Sequence, residues 1–157
     1  MESPSTEARV AVIDALSILP FPEKDGRSEV GDGWAGPGHH VAVLRQSRDF
    51  WDDIEPGVWE AAEAELAADL EAIAAVLTAR WGAPRTVDLW PYLGLDDPDQ
   101  EVWAPEPLAF LCNNAVTMQL WQLPSSDRWI GLTVGQGDRE LPFELLAAIG
   151  DASSLPE

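Results

Sequence analysis

An alanine-rich helix dominates the middle of this 157-residue chain. Apolar side chains recur there at helical spacing, which predicts a helix from about Val58 to Trp81. Arg80 suits the negative end of the helix dipole, Gly82 can take the left-handed conformation that ends a helix, and Pro84 prevents continuation. We expect the apolar stripe to face the core; it consists of Trp59, Leu66, Leu70, Ile73, Leu77 and Trp81.

The opposite stripe of this helix is almost wholly alanine: Ala61, Ala64, Ala68, Ala72, Ala75 and Ala79. Two interpretations stay open. Alanine is the best intrinsic helix former and can simply cover an exposed surface. The stripe can also be a flat packing surface for a second helix or a partner protein, which would leave the helix covered on both sides.

Shorter elements surround the long helix. Before it, the pattern predicts a helix over 6–18, a long Gly/Pro-rich loop over 21–38 and a strand over 40–46. After it, we expect strands over 86–90, 108–112, 115–123 and 128–134, an acidic loop over 93–106, a helix over 141–149 and a flexible tail over 151–157. Strands grouped in this way are typical of α+β proteins. We therefore predict a single α+β domain over 1–157: an antiparallel β-meander of about four to five strands, packed with one long central helix and shorter N- and C-terminal helices.

The charge balance limits the kinds of partner. The chain carries 28 acidic against 9 basic side chains, for a formal net charge of -19. A surface this negative repels phosphate backbones and anionic lipid head groups. We therefore expect no direct binding to nucleic acid or membranes, although a basic protein that binds nucleic acid is a plausible partner.

The expected setting is the bacterial cytoplasm. The sequence contains neither an apolar run of membrane-spanning length nor the basic start of a secretory signal. Its single cysteine, Cys112, excludes an internal disulfide, which agrees with a reducing compartment. Eight of the nine basic residues are arginine and alanine is abundant, as expected from a GC-rich bacterial genome.

No motif specifies a reaction, a metal or a cofactor, and we predict none of the three. His39 and His40 are adjacent, so on a strand they would point to opposite faces and could not easily share one metal ion. The glycine run over 31–38 lacks the spacing of a phosphate-binding loop. Asp97, Asp99 and Glu101 alternate like calcium ligands, but the glycine and glutamate that an EF-hand loop requires are missing.

Charge and tryptophan remain as the informative features. Between Asp49 and Ala79 there are nine acidic residues and no basic one, and the chain contains 8 tryptophans. Tryptophan among carboxylates is typical of a binding anchor within an electrostatic rim, although these side chains can also pack under their own loops. The predicted partner-binding residues are Trp51, Asp52, Asp53, Asp96, Asp97, Asp99, Glu101 and Trp103.

These features predict an acidic protein-binding module that neutralises a basic toxin or nuclease by electrostatic occlusion. In size, charge and expected fold class the chain resembles bacterial immunity proteins, which implies an inhibitory role. The alternative is a dimeric chaperone or adaptor for a secreted or assembled protein. It would use the sheet face or the alanine stripe as a hydrophobic binding surface. A small enzyme of unknown reaction is the third hypothesis. The first predicts a monomer and the second a homodimer.

Overall fold

A computed structural model of the chain describes residues 6–28, 30, 33–47, 56–89, 107–112, 114–124, 126–136, 142–152 and 155. In chain order these residues form α1 (Thr6–Ile18), β1 (Gly26–Arg27), β2 (Gly33–Gly36), β3 (His39–Gln46), α2 (Pro56–Trp81), β4 (Arg85–Asp88), α3 (Leu108–Cys112), β5 (Thr117–Gln122), β6 (Arg128–Gly135) and β7 (Glu144–Asp151). The fold combines an antiparallel sheet with one long helix and two shorter ones, so the predicted α+β class is confirmed.

The sheet has seven strands in the order β1-β2-β3-β7-β6-β5-β4, more than the four to five predicted. Two of the extra strands, β1 and β2, lie inside the segment 21–38 that was predicted to be a loop. Pro37 and Gly38 join β2 to β3, and Gly38 has a φ of 80°. Proline followed by a left-handed glycine is favoured in a tight turn, so the Pro-Gly pair was the available signal for this hairpin.

The helix predicted over 141–149 is wrong, because this segment contributes strand β7. It lies between β3 and β6, near the middle of the sheet. Leucine and alanine favour helices, but a short apolar run that is covered on both faces is also satisfied as a central strand. Its side chains alternate between two cores: Leu145, Ala147 and Ile149 enter one, while Leu146 and Ala148 enter the other. β7 also includes Asp151, which was predicted to start the tail.

The strand predicted over 108–112 is also wrong, because this segment forms helix α3. The Leu111 N–H donates to the carbonyl oxygen of Pro107 at 3.0 Å, which is the bond of a first helical turn. Leu108, Leu111 and Cys112 are buried, and their spacing of three and four residues matches one helix face. In a run of 5 residues, the sequence pattern does not distinguish a strand from a helix.

Helices cover both faces of the sheet. Side chains of α1 and α2 pack against β3, β5, β6 and β7 in the first core, where Ile13, Leu66 and Leu132 are fully buried. Helix α3 closes the second core on the opposite face, where Leu108 packs with Met118 and Trp129. Trp129 of β6 is part of this second core, and its side chain is 0% exposed.

Helix α2 matches its prediction closely and sets the position of the candidate site. Gly82 follows it with a φ of 89°, and its N–H donates to the Thr78 carbonyl oxygen at 2.9 Å. Leu66, Ile73 and Leu77 of the predicted core stripe are fully buried. The described helices include none that combines the length and the apolar character needed to cross a membrane.

Candidate functional site

The predicted partner-binding residues all lie outside the described residues: Trp51, Asp52, Asp53, Asp96, Asp97, Asp99, Glu101 and Trp103. The predicted acidic loop over 93–106 lies outside them as well. Their roles therefore stay predictions. The described part of the chain offers a different acidic surface, built on α2.

The alanine stripe faces outward from the sheet. All six of its alanines are exposed: Ala61, Ala64, Ala68, Ala72, Ala75 and Ala79. No described element of the chain covers them. This agrees with alanine as a filler of exposed helix surface, while a seat for a partner would need a second molecule.

One flank of α2 carries acidic side chains that arginines neutralise within the chain. Asp69 accepts from Arg9 Nη1 at 3.2 Å and forms a closer contact with Arg45 Nη1. One turn earlier, Glu65 accepts from Arg45 Nη2 at 3.3 Å. Arg9 is only 4% exposed and Asp69 is 24% exposed, so this pair is buried on the arginine side. This flank joins α2 to α1 and β3 and has little charge left for a partner.

The other flank of α2 carries acidic side chains without such arginines. Glu63, Ala67 and Glu71 are spaced four residues apart, so they follow one line along the helix, and all three are exposed. None of the ion pairs found among the described residues involves Glu63 or Glu71. The two flanks have the same kind of residue but differ in whether an arginine lies opposite.

A groove of about 540 Å³ runs between this flank and the sheet. Strand alternation places Thr86 on β4, with Thr117 and Gln119 on β5, on the face of the sheet that α2 covers only partly. These polar side chains form the outer floor of the groove, on the side away from the core. The half-buried Val134 of β6 forms the inner floor, next to the fully buried Leu132 of the core.

An aromatic pair closes one end of the groove. The rings of Trp59 and Phe143 meet edge to face, with centroids 4.9 Å apart. Trp59 Nε1 is buried and donates to no other described residue. Val116, which also lines the groove, is 69% exposed. The lining therefore combines apolar surface with hydrogen-bonding groups along one side.

The charge in the groove has one sign. Among the described residues that line it, the ionisable ones are Glu63 and Glu71, and none is basic. A second cavity of about 520 Å³ lies at the start of α2, but it contains both Arg45 and Glu65, which pair with each other. Of these two cavities, the first offers carboxylates that no cation among its described lining residues compensates, and we take it as the candidate site.

The two adjacent histidines make separate contacts within the fold. His40 is buried, its Nε2 lies 3.0 Å from the Leu19 carbonyl oxygen, and its ring packs against Phe21. The His39 Nδ1 faces the Pro37 carbonyl oxygen at 3.3 Å. Within the described residues, no group of three or more His, Cys, Asp or Glu side chains is placed to hold a metal ion.

No protein-family model, curated protein or solved structure matches this chain. The candidate site is therefore assigned from the geometry of the described residues alone. Sequence reasoning missed the groove because it depends on which strands lie beside α2. The line formed by Glu63, Ala67 and Glu71 was visible as spacing, but the sheet beyond it was not.

Proposed function

We propose that this protein is an acidic protein-binding module that neutralises a basic protein by covering its basic surface, as an inhibitor or immunity protein does. The groove beside α2 carries the proposal, because it combines two exposed carboxylates with apolar lining and has no cation among its described lining residues. Such a surface suits a partner that offers positive charge around an apolar contact.

The distribution of arginine supports the same function. Arg9, Arg45 and Arg80 are all engaged with acidic side chains of α1 or α2. With a net charge of -19, most carboxylates of the chain have no basic partner available. A field of this sign raises the association rate of a positively charged partner by about 10- to 1,000-fold and disfavours acidic competitors.

A dimeric adaptor is the second candidate, and the exposed alanine stripe favours it. Six alanines on one face allow another helix to approach closely. The flanking acids oppose self-association, however, since two copies would bring like charges together. We therefore place the inhibitor first and expect it to act as a monomer in the bacterial cytoplasm.

The test is affinity capture followed by kinetics with the purified partner. The immobilised protein is exposed to lysate of the native bacterium at low salt and eluted with a salt gradient, and bound proteins are identified by mass spectrometry. We expect a basic protein whose purified form associates at least about tenfold more slowly in 0.5 M than in 0.02 M salt. Saturation with our protein should also abolish the partner's own activity.

Two sets of variants separate the acidic surfaces. One changes Glu63 and Glu71 to Gln, and the other changes Asp96, Asp97 and Asp99 to Asn. Slower association and a flatter salt dependence in either set would support electrostatic occlusion and identify the surface used. A partner whose association rate ignores both salt and these variants would contradict the proposal, and capture of only a second copy would favour the adaptor.

A further inference from the structure

We propose that the groove beside α2 binds an extended segment of the partner protein, with two basic side chains four residues apart and an apolar side chain between them. This inference rests on the proposed function and names the part of the partner that this surface recognises. It follows from the length of the groove, the positions of its carboxylates and its apolar lining.

The length of the groove fits a short extended peptide. On the helix side the lining extends from Trp59 to Glu71. Twelve residues of α-helix rise about 18 Å, at 1.5 Å per residue. An extended chain covers that length in about five to six residues, at roughly 3.3 Å per residue. A helix lying in the groove would need about twelve residues for the same length.

The carboxylates set the spacing of the basic side chains. Glu63 and Glu71 are eight residues apart, which separates them by about 12 Å along α2. Positions i and i+4 of an extended peptide lie about 13 Å apart and project to the same side. Arginine suits these positions best, since its planar guanidinium can donate two parallel hydrogen bonds to one carboxylate.

The apolar lining sets the residue between them. Ala67, midway between the two carboxylates along the helix, is exposed, and the half-buried Leu70 of α2 and Val134 of β6 line the same groove. Position i+2 of the extended peptide projects to the same side as i and i+4, so a leucine there would reach this surface. The side chains of Thr117 and Gln119 can hydrogen-bond the peptide backbone from the outer floor of the groove.

A small peptide of the sequence Arg-Ser-Leu-Ser-Arg, labelled with fluorescein, is the probe. Its binding to the full chain is measured by fluorescence anisotropy at low salt. We expect Arg-Ser-Ser-Ser-Arg to bind about tenfold more weakly, because the buried leucine is lost. The peptide Glu-Ser-Leu-Ser-Glu should not bind.

Neighbouring alanines provide the matched protein variants. Ala67 lines the groove and Ala68 belongs to the alanine stripe, and both are exposed, so neither substitution should disturb the fold. Ala67→Trp fills the groove and should weaken peptide binding at least about tenfold, while Ala68→Trp should leave it unchanged. Circular dichroism and thermal unfolding check that both variants are folded.

Charge variants use the same logic. The double change Glu63→Gln with Glu71→Gln should weaken binding and reduce its salt dependence. Glu7→Gln with Glu60→Gln removes the same charge at exposed positions outside the groove and should have little effect. Equal losses for the two pairs would mean that only net charge matters, which would overturn the groove as the site.

The outcomes distinguish this inference from the proposed function. A peptide that fails to bind, or an Ala68→Trp variant as weak as Ala67→Trp, overturns the groove. If a basic partner still binds Ala67→Trp with unchanged salt dependence, the groove proposal fails and the inhibitory function stands. If the peptide binds as expected but no basic partner is inhibited, the groove stands and the proposed function fails.

Discussion

The ion pairs around Asp69 predict that two acidic residues one turn apart on α2, Glu65 and Asp69, contribute very different amounts to the free energy of unfolding. Asp69→Asn removes the carboxylate that pairs with Arg9, which is 4% exposed and whose Nε has no described hydrogen-bond partner. Breaking a buried pair costs about 3–5 kcal/mol. Asp69 itself is 24% exposed, so we expect the lower value, about 3 kcal/mol, and a Tm lower by roughly 6–12 °C.

Glu65→Gln is the matched control, because Glu65 pairs with Arg45 but is 68% exposed. An exposed pair contributes about 0–1 kcal/mol, and salt reduces it further. Urea unfolding followed by circular dichroism gives both free energies. In a second step, Arg9→Met added to Asp69→Asn should recover most of the loss, since the unpaired buried cation is gone. Equal costs for Asp69→Asn and Glu65→Gln would refute the assignment of the buried pair.

Two further predictions concern β7. An added Cβ at Gly150 would overlap the indole of the fully buried Trp129, so Gly150→Ala should lower the free energy of unfolding in urea by about 1–3 kcal/mol. Gly57→Ala is the control and should not destabilise the protein, because a Cβ there meets nothing. Equal values for the two variants would contradict the packing of Gly150 against Trp129. Burial raises the pKa of the Glu144 carboxyl, so the folded protein keeps this proton to higher pH than the unfolded chain, and stability falls as the pH rises through that interval. Glu144→Gln should therefore increase the free energy of unfolding at pH 7 and change it little at about pH 3.5; a loss at pH 7 would contradict the sign.

The prediction of α2 succeeded because its signals are local. Period, alanine content and the stop at Gly82 all lie within one segment and agree with one another. β7 and α3 failed for the opposite reason. An apolar run such as residues 145–149 is compatible with either a buried helix or a central strand, and what decides is the pairing with β3 and β6. That pairing involves residues far away in the sequence.

The charges of the candidate site show the same limit of prediction from sequence. Helix α2 carries five acidic residues: Glu60, Glu63, Glu65, Asp69 and Glu71. A count along the sequence treats them alike, yet the ion pairs of the described residues involve Glu65 and Asp69 and none of the other three. Arg9 and Arg45 come from α1 and β3 and neutralise one flank. The flank beside β4 and β5 has no such arginine in the described lining, and the adjoining strands carry threonine and glutamine there. The useful quantity for a binding surface is thus the charge that remains after internal pairing, and in the groove Glu63 and Glu71 carry it.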